Sequence, residues 1–570
     1  MLRRLLPLLV LTACDRAPEP TPTPRAQSTT VAPTSPPAPP ERAAPAPPPD
    51  DLPTVDASLL RTHIAVLASD DFGGRRPGTD GAKKTTAYIE AQMKALGLQP
   101  AGEAGTYRQT VPMRGVTADT SRTVAALQGG PRPRPLTPGK EIVIGSYQAS
   151  GTIHFDAELV FVGYGITAPE ESWDDYADID VRGKIAVVLV GDPPLRPERF
   201  GGDAMTYYGR WTYKFERALQ AGALGCLVVH ETGPASYGWN VVESSWSGER
   251  FHVIEPGGAL PDSLTVQGWL HADAAQDLAT LAGSSLEQWH ADARSEDFRG
   301  RGTGISLAGE VVTTERELSD DNVLGKIVGD DDDAFVVSAH WDHLGTDESA
   351  EGDGDADRIF NGAVDNASGI AGMLATAAAL QHRRAQGLKL RHSVVFFATT
   401  AEEQGLLGSE YFAGHPTVPL ARLHGIANLD SMNVEGPTKT VTVAGAGQTT
   451  LEDVLGEVLA TDGRTIVPDD RPQAGSYYRS DHFPFAKRGV PALFFYGGRE
   501  MVDGGRAAGE RLSELRSARY HTVDDELDPA WPLTGAVQDV EALTELVVRV
   551  DAAPQPPRFK PASEFASIAR

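Results

Sequence analysis

The sequence predicts an α/β protein: a mostly parallel-core sheet covered by helices on both faces, interrupted by a β-rich α+β inserted domain. Three observations carry this. After Asp320, apolar runs at 334–339, 392–398, 425–429 and 491–496 alternate with helical patterns at 368–384, from 407, and at 534–550. Those runs are continuously apolar instead of alternating, as strands buried on both faces of a parallel sheet are. Between about Gly115 and Gly309 the texture changes to the β segments EIVIG, ELVFVGYGI and KIAVVLVG, with one good helix, Lys214 to Ala221, before the strand GCLVVHE.

In chain order, Met1 to Ala13 carries two arginines and a leucine-rich run too short to cross a bilayer. It ends Leu-Thr-Ala-Cys at Cys14, which resembles the bacterial lipobox, where the cysteine becomes lipidated. An ordinary secretory signal with a chance cysteine is the alternative. From Ala17 to Asp50 nearly every residue is Pro, Ala, Thr or Ser, a composition that buries no core and makes a semi-extended spacer. The expected segments are a signal peptide (1–13), a Pro/Ala-rich linker (14–51), a first peptidase-type part (52–114), the insert (115–310), a second part (311–552) and a C-terminal tail (553–570). The expected location is the bacterial cell envelope, lipid-anchored outside the cytoplasm.

In the first part, Leu59, Leu60, His63, Ile64, Val66 and Leu67 recur at helical spacing. SDDFGGRRPGTDG is a turn-rich loop, Lys83 to Leu98 an amphipathic helix closed by Gly97, and TYRQTVPM a strand. The formal charge of −27, from 51 basic and 78 acidic residues, argues against a nucleic-acid partner. Only two cysteines occur, so neither a disulfide framework nor a Cys-rich zinc site is available. Cys226, inside an apolar strand, reads as an inert buried thiol.

The chemistry gathers just beyond the apolar strands of the second half. FVVSAHWDHLG delivers His340 and Asp342, FNGAVDNASG delivers Asp365 at a helix start, and TTAEEQGLLGS delivers Glu402 and Glu403. NLDSM supplies Asp430, RSDHFPF supplies Arg479, Asp481 and His482, and RYHTVDD supplies Tyr520 and His521. Taken singly, these positions have plain readings as a hydrogen-bonded core histidine, a helix cap or a solvated acidic helix start. Together they fit two zinc ions: His340 and Asp430 on one, Glu403 and His521 on the other, Asp365 bridging. Adjacent Glu402 and Glu403 cannot point the same way, so one ligates while the other faces the attacking water. The acidic GDGDADR loop, Gly352 to Arg358, spaces carboxylates like a calcium loop but lacks its closing glutamate, and reads as a solvated loop.

HWDHLG, NGAVDNASG, TTAEEQGLLGS, NLDSM, RSDHFPF and YHTVDD, in this order, resemble the M28 zinc peptidases, the bacterial aminopeptidases in particular. The resemblance covers Leu52–Met113 and Asp320–Val550, and the middle segment resembles a protease-associated domain. It implies a zinc exopeptidase fold acting on peptides. His340, Asp365, Glu403, Asp430 and His521 are then metal ligands, Glu402 the general base, and Asp342 the acid behind the ligand histidine. Tyr520 matches a tyrosine that hydrogen-bonds the developing oxyanion. Asp481 and His482 match a structural or substrate-lining motif, and Arg479 a contact to the substrate terminus. Two other readings stay open at this level: a single-zinc glutaminyl-cyclase-like enzyme, and a binding protein on a peptidase scaffold.

Overall fold

The computed structural model describes residues 47–146, 151–195, 199–235, 237–258, 262–347 and 357–568. The expected signal peptide, Cys14, nearly all of the linker and most of the GDGDADR loop lie outside the described residues. Among the described residues, no helix is long and apolar enough to cross a membrane.

The chain enters through α1 (Ala57–Leu67), whose first turn is capped by the Asp56 carboxylate accepting from the amides of Ser58 and Leu59. Helix α2 (Asp80–Ala95) follows, capped by the Thr79 hydroxyl. It is closed near Gly97, where φ is +69° and a side chain would be strained. Both helices pack apolar residues onto the sheet to come, Leu60, Ile64, Ile89 and Met93 among them.

Strand β1 (Arg108–Ala118) leads out of this layer into the insert. There β2 (Ile142–Gly145), β3 (Gly151–Phe161) and β4 (Ile185–Leu189) are followed by α3 (Trp211–Gln220), β5 (Gly225–His230) and β6 (Val266–His271). The pairs β3–β4, β4–β5 and β5–β6 are parallel, while β2 pairs antiparallel with β6, and β3 and the strand Val124–Gln128 pair antiparallel with residues 301–313. The insert thus mixes a short parallel core with antiparallel strands and helices. IAVVL and GCLVVH are buried at every position, the mark of parallel strands covered on both faces. Further helices at Trp239–Ser247, Ala272–Leu281 and Leu286–Ala293 join the one expected. Their short amphipathic patterns are Ala-, Ser- and Asp-bearing and easily taken for loop. The insert has its own core, with Trp289 stacked on Phe161 at a 4.3 Å centroid distance.

Strand β7 (Arg301–Ile327) brings the chain back. It pairs antiparallel with β1 from Thr313 opposite Ala118 to Val323 opposite Arg108. The expected boundaries at 114/115 and 310/311 fall inside β1 and β7, so continuous strands join the insert to the rest. The middle of β7, TTERELSD, is largely exposed and highly charged, which hid its strand character from the sequence.

The second half adds β8 (Ala334–His340), α4 (Gly369–Ala385), β9 (Ser393–Thr399), α5 (Leu407–Gly414), β10 (Leu423–Asn428), β11 (Thr440–Val443) and α6 (Leu451–Asp462). It ends with β12 (Ala492–Gly497), α7 (Gly505–Arg519) and α8 (Thr534–Ala552). Across the sheet the order is β7, β9, β8, β10, β12, β11. The four central strands are parallel and the outer pairings antiparallel, so the mostly parallel core is as the sequence predicts. Helices α1, α4 and α8 cover one face through Leu60, Ile370, Leu374 and Leu543. The other face holds Phe397, Phe412 and Phe485.

The last residues return to the boundary between insert and sheet. Phe565 is buried. The Glu564 carboxylate accepts from the Tyr207 amide of the insert at 3.1 Å and from the Tyr478 hydroxyl of the second half. Burial pushes the Glu564 carboxyl up to about 7, against those two hydrogen bonds. A raised folded-state pKa means the folded form holds the proton. The contribution is complete below the ordinary glutamate range and is lost as pH rises through about 7. The permanently neutral Glu564→Gln variant should therefore gain stability relative to wild type between pH 5 and pH 8, by on the order of 3 kcal/mol at most. Thermal melts of both proteins across that range check this, and a difference that does not change with pH refutes it.

Candidate metal centre

Three parallel strands end side by side. β8 lies between β9 and β10, with His340 level with Thr399 and Ser338 level with Asn428. His340 is the last residue of β8, Glu402 and Glu403 follow β9, and Asp430 follows β10. This is the carboxyl-end crevice where open α/β sheets collect ligands. The chain turns sharply to aim these groups: Ala401, Ser431 and His521 all adopt left-handed φ near +55 to +60°, positions that non-glycine residues rarely occupy. Asp365 comes from the irregular turn before α4, and His521 from just after α7.

The five expected ligands converge. His340 Nε2 lies 3.3 Å from Asp365 Oδ1 and 3.5 Å from Asp430 Oδ1. His521 Nε2 lies 3.2 Å from Asp365 Oδ2 and 3.2 Å from Glu403 Oε2. Asp365 thus offers one oxygen to each imidazole. Two ligand atoms on a tetrahedral zinc at about 2.0–2.1 Å stand about 3.3 Å apart, so the donor spacing fits a pair of ions. The donor chemistry fits too: nitrogen and carboxylate oxygen, with His521 Nε2 buried and lacking a well-formed hydrogen bond.

Electrostatics point the same way. Burial opposes charge on His340, yet Glu402, Asp365 and Asp430 outweigh it and hold its pKa well above the ordinary histidine value. His521 behaves alike, with Glu403 and Asp365 as the opposing acids. Burial pushes Asp342 up to about 8 and Glu402 well above its usual range, with the charge of Glu403 adding to both. Against burial, His340 and His521 keep Asp365 well below the carboxylate range, and His521 with His343 keeps Glu403 at about 2. The pocket is built to be neutralised by positive charge.

Some expected roles are relocated. The His340 Nδ1 partner is the Asp342 backbone carbonyl at 3.2 Å, with the Asp342 carboxylate 3.9 Å away. That carboxylate instead accepts from the Glu402 and Glu403 amides at 3.0 and 3.4 Å, and so fixes the turn that separates the two glutamates. Asp481 and His482 are fully buried and do not line the cleft. Asp481 accepts from the Thr399 hydroxyl, and His482 packs on Tyr477 and Phe494, so the structural half of their expected role is the one the geometry carries. Tyr520 is 57% exposed at the cleft edge, its ring stacked on His521 at 3.8 Å. Arg479 lines the cleft.

Other residues were not singled out by the sequence. His343, in the same HWDHLG run, bonds Glu403 Oε1 through Nδ1 at 2.6 Å and forms a second His-Asp-Glu group with Asp365 and Glu403. A histidine three residues after His340 was the available signal. The Asp525 carboxylate accepts from the Val364 and Asp365 amides, fixing Asp365 from behind. Ser480 donates to Asp430 Oδ2 at 2.6 Å. Arg75, from the turn-rich GGRRPG loop, is only 1% exposed and donates to the carbonyls of Leu67, Trp341, Asn361 and Gly362. Nothing in a polar turn sequence announces a buried arginine.

The model of peptidase family M28 matches residues 322–544. That part of the chain is similar to an M28 peptidase domain. Leupeptin-inactivating enzyme 1 of Streptomyces exfoliatus is 31% identical over 177 residues, covering 30% of this chain; the chain spans 38% of that relative's length. Among solved structures, an aminopeptidase from Aneurinibacillus sp. strain AM-1 superposes with a TM-score of 0.49 at 19% identity, covering 89% of this chain and 96% of that one. A zinc aminopeptidase from Bacillus subtilis gives 0.39 at 19% identity, covering 87% and 95%.

Arg75 ties the end of α1, the residue after β8 and the approach to Asp365 into one unit. Arg75→Met leaves four buried carbonyls without their donor, so the protein should lose about 3 kcal/mol of stability. Any metal held at the site should fall with it, because the Asp365 carboxylate loses its support. Denaturant midpoints and metal content per chain are the readouts; wild-type values for both would show that Arg75 does not organise the site.

Proposed function

We propose that the protein is a di-zinc aminopeptidase that hydrolyses N-terminal residues from peptides. The supporting observation is the Asp365 carboxylate, with Oδ1 towards His340 and Oδ2 towards His521, each imidazole completed by a second carboxylate. On this reading His340 and Asp430 hold one ion, His521 and Glu403 the other, and Asp365 both. When bound, zinc supplies Lewis-acid polarisation of a carbonyl and acidifies water.

The chain's own groups do the rest. Glu402 Oε2 is 4.0 Å from His340 Nε2 and lines the cleft. It takes a proton from the attacking water and returns it to the leaving amine. Asp342, by holding the Glu402 and Glu403 amides, keeps the base and its ligating neighbour in different directions. Tyr520 reaches the developing oxyanion from the cleft edge. The cleft, about 1270 Å³, is walled on one side by the insert through Tyr207, Trp211 and Tyr237. That wall favours a chain end over a continuous polypeptide, which supports exopeptidase action. Envelope anchoring through Cys14 belongs to the same reading and rests on the Leu11–Cys14 motif and the spacer.

Purified protein should carry two zinc ions per chain, and 1,10-phenanthroline should abolish release of aminoacyl anilides until zinc is restored. One ion per chain with cyclisation of N-terminal glutamine would instead favour the cyclase reading. Glu402→Ala should lower kcat by about a hundredfold to ten-thousandfold while keeping both ions. Retention of a tenth of wild-type turnover would remove Glu402 from the general-base role.

A further inference from the structure

Two arginines face the cleft without a partner. Arg210 stands at the entry to α3 in the insert, and Arg479 stands one residue before Ser480, the side chain that bonds Asp430. Nε of Arg210, and both Nε and Nη2 of Arg479, are buried and make no hydrogen bond. Arg479 lies over the Tyr237 ring at 5.8 Å. The acids nearby are engaged elsewhere. Glu216 is taken by Lys487 at 2.9 Å, Glu410 by Arg488 at 2.7 Å, Asp470 by Arg506 at 3.0 Å, and Glu564 by Tyr478. Burial, and then the charge of Arg479, pushes Arg210 down to about 10. Two neighbouring guanidinium groups that each keep a buried N–H without an acceptor are costly, and a planar anion accepting from both removes that cost.

We propose that Arg210 and Arg479 form a carboxylate subsite, one arm from the insert and one from the peptidase half, which selects substrates bearing a free carboxylate close to the scissile bond. This rests on the peptidase reading and deepens it. A carboxylate there comes either from the C-terminus of a di- or tripeptide or from an acidic side chain beside the bond. The site also gives the insert a chemical role, since Arg210 reaches the cleft only because the β1–β7 ribbon carries the insert over it.

The test is binding, so that it stands apart from turnover. With metal-loaded, full-length Glu402→Gln protein, calorimetry compares Leu-Ala with Leu-Ala-amide, and Leu-Asp-amide with Leu-Asn-amide. A charge-assisted pair predicts that at least one acid binds about tenfold or more tighter than its neutral partner. Preference in the first pair identifies the chain terminus, in the second the side chain. Adding Arg210→Gln or Arg479→Gln should bring the ratio to within about twofold. Equal affinity within both pairs overturns the subsite, and because this comparison needs no arginine variant, misfolding of either variant leaves it decisive. Preference for an acid without hydrolysis of any peptide by wild type would keep the subsite and overturn the peptidase reading instead.

Discussion

The carboxylates of Asp342, Asp365, Glu402, Glu403 and Asp430 share one largely buried pocket with three imidazoles, and their mutual repulsion is the constraint on which the structure turns. In a low-dielectric setting such a cluster persists only if positive charge is supplied and if rigid elements prevent its members from swinging apart. The second condition is met by the chain itself. Asp365 is fixed through its own backbone by Asp525, the Glu402–Glu403 turn by Asp342, Asp430 by Ser480, and Glu403 by His343. Glu403 and Asp430 each commit one oxygen to such a partner and turn the other towards an imidazole of the pocket.

That rigidity originates in the sheet. The strands β8, β9 and β10 are buried along nearly their whole length and run parallel, so their ends are level and their last side chains emerge at one edge. Left-handed turns at Ala401, Ser431 and His521 then redirect the chain within one or two residues. Strain of this kind survives because the surrounding packing over-determines it. Arg75 extends the same logic to the first helical layer: a cation with four carbonyl partners stitches α1 to the loop bearing Asp365.

On the proposed reading the insert adds selection rather than chemistry. Its core is separate from that of the second half, with no metal cluster among its described residues. Yet the β1–β7 ribbon and the C-terminal segment clamp it over the metal-binding edge, where it contributes aromatic rings and one unpaired guanidinium to the wall. A short, rigid connection suits that task better than a flexible one, since a wall that drifts by an ångström or two no longer reads the substrate.

Much of this was legible in the sequence. Continuous apolar runs mark β4, β5, β8, β9 and β10 because strands buried on both faces have no polar side to show. His340, Asp365, Glu403, Asp430 and His521 stand out because ionisable residues just past such runs have few structural reasons to be there. Other features were invisible for equally physical reasons. The charged middle of β7 does not look like a strand, since its residues 314–317 face solvent and show no apolar side. Arg75 and Arg210 read as surface arginines because burial of a guanidinium depends on carbonyls and rings brought from distant segments, and Arg479 stands out only through the family resemblance. Asp342 shows the division in one residue: local sequence put it beside His340, but only tertiary packing, by presenting two amides from beyond β9, decided that its carboxylate would hold the neighbouring glutamates instead of the imidazole. Local order dictates which groups reach the sheet edge; the long-range contacts of the folded chain dictate which of them meet.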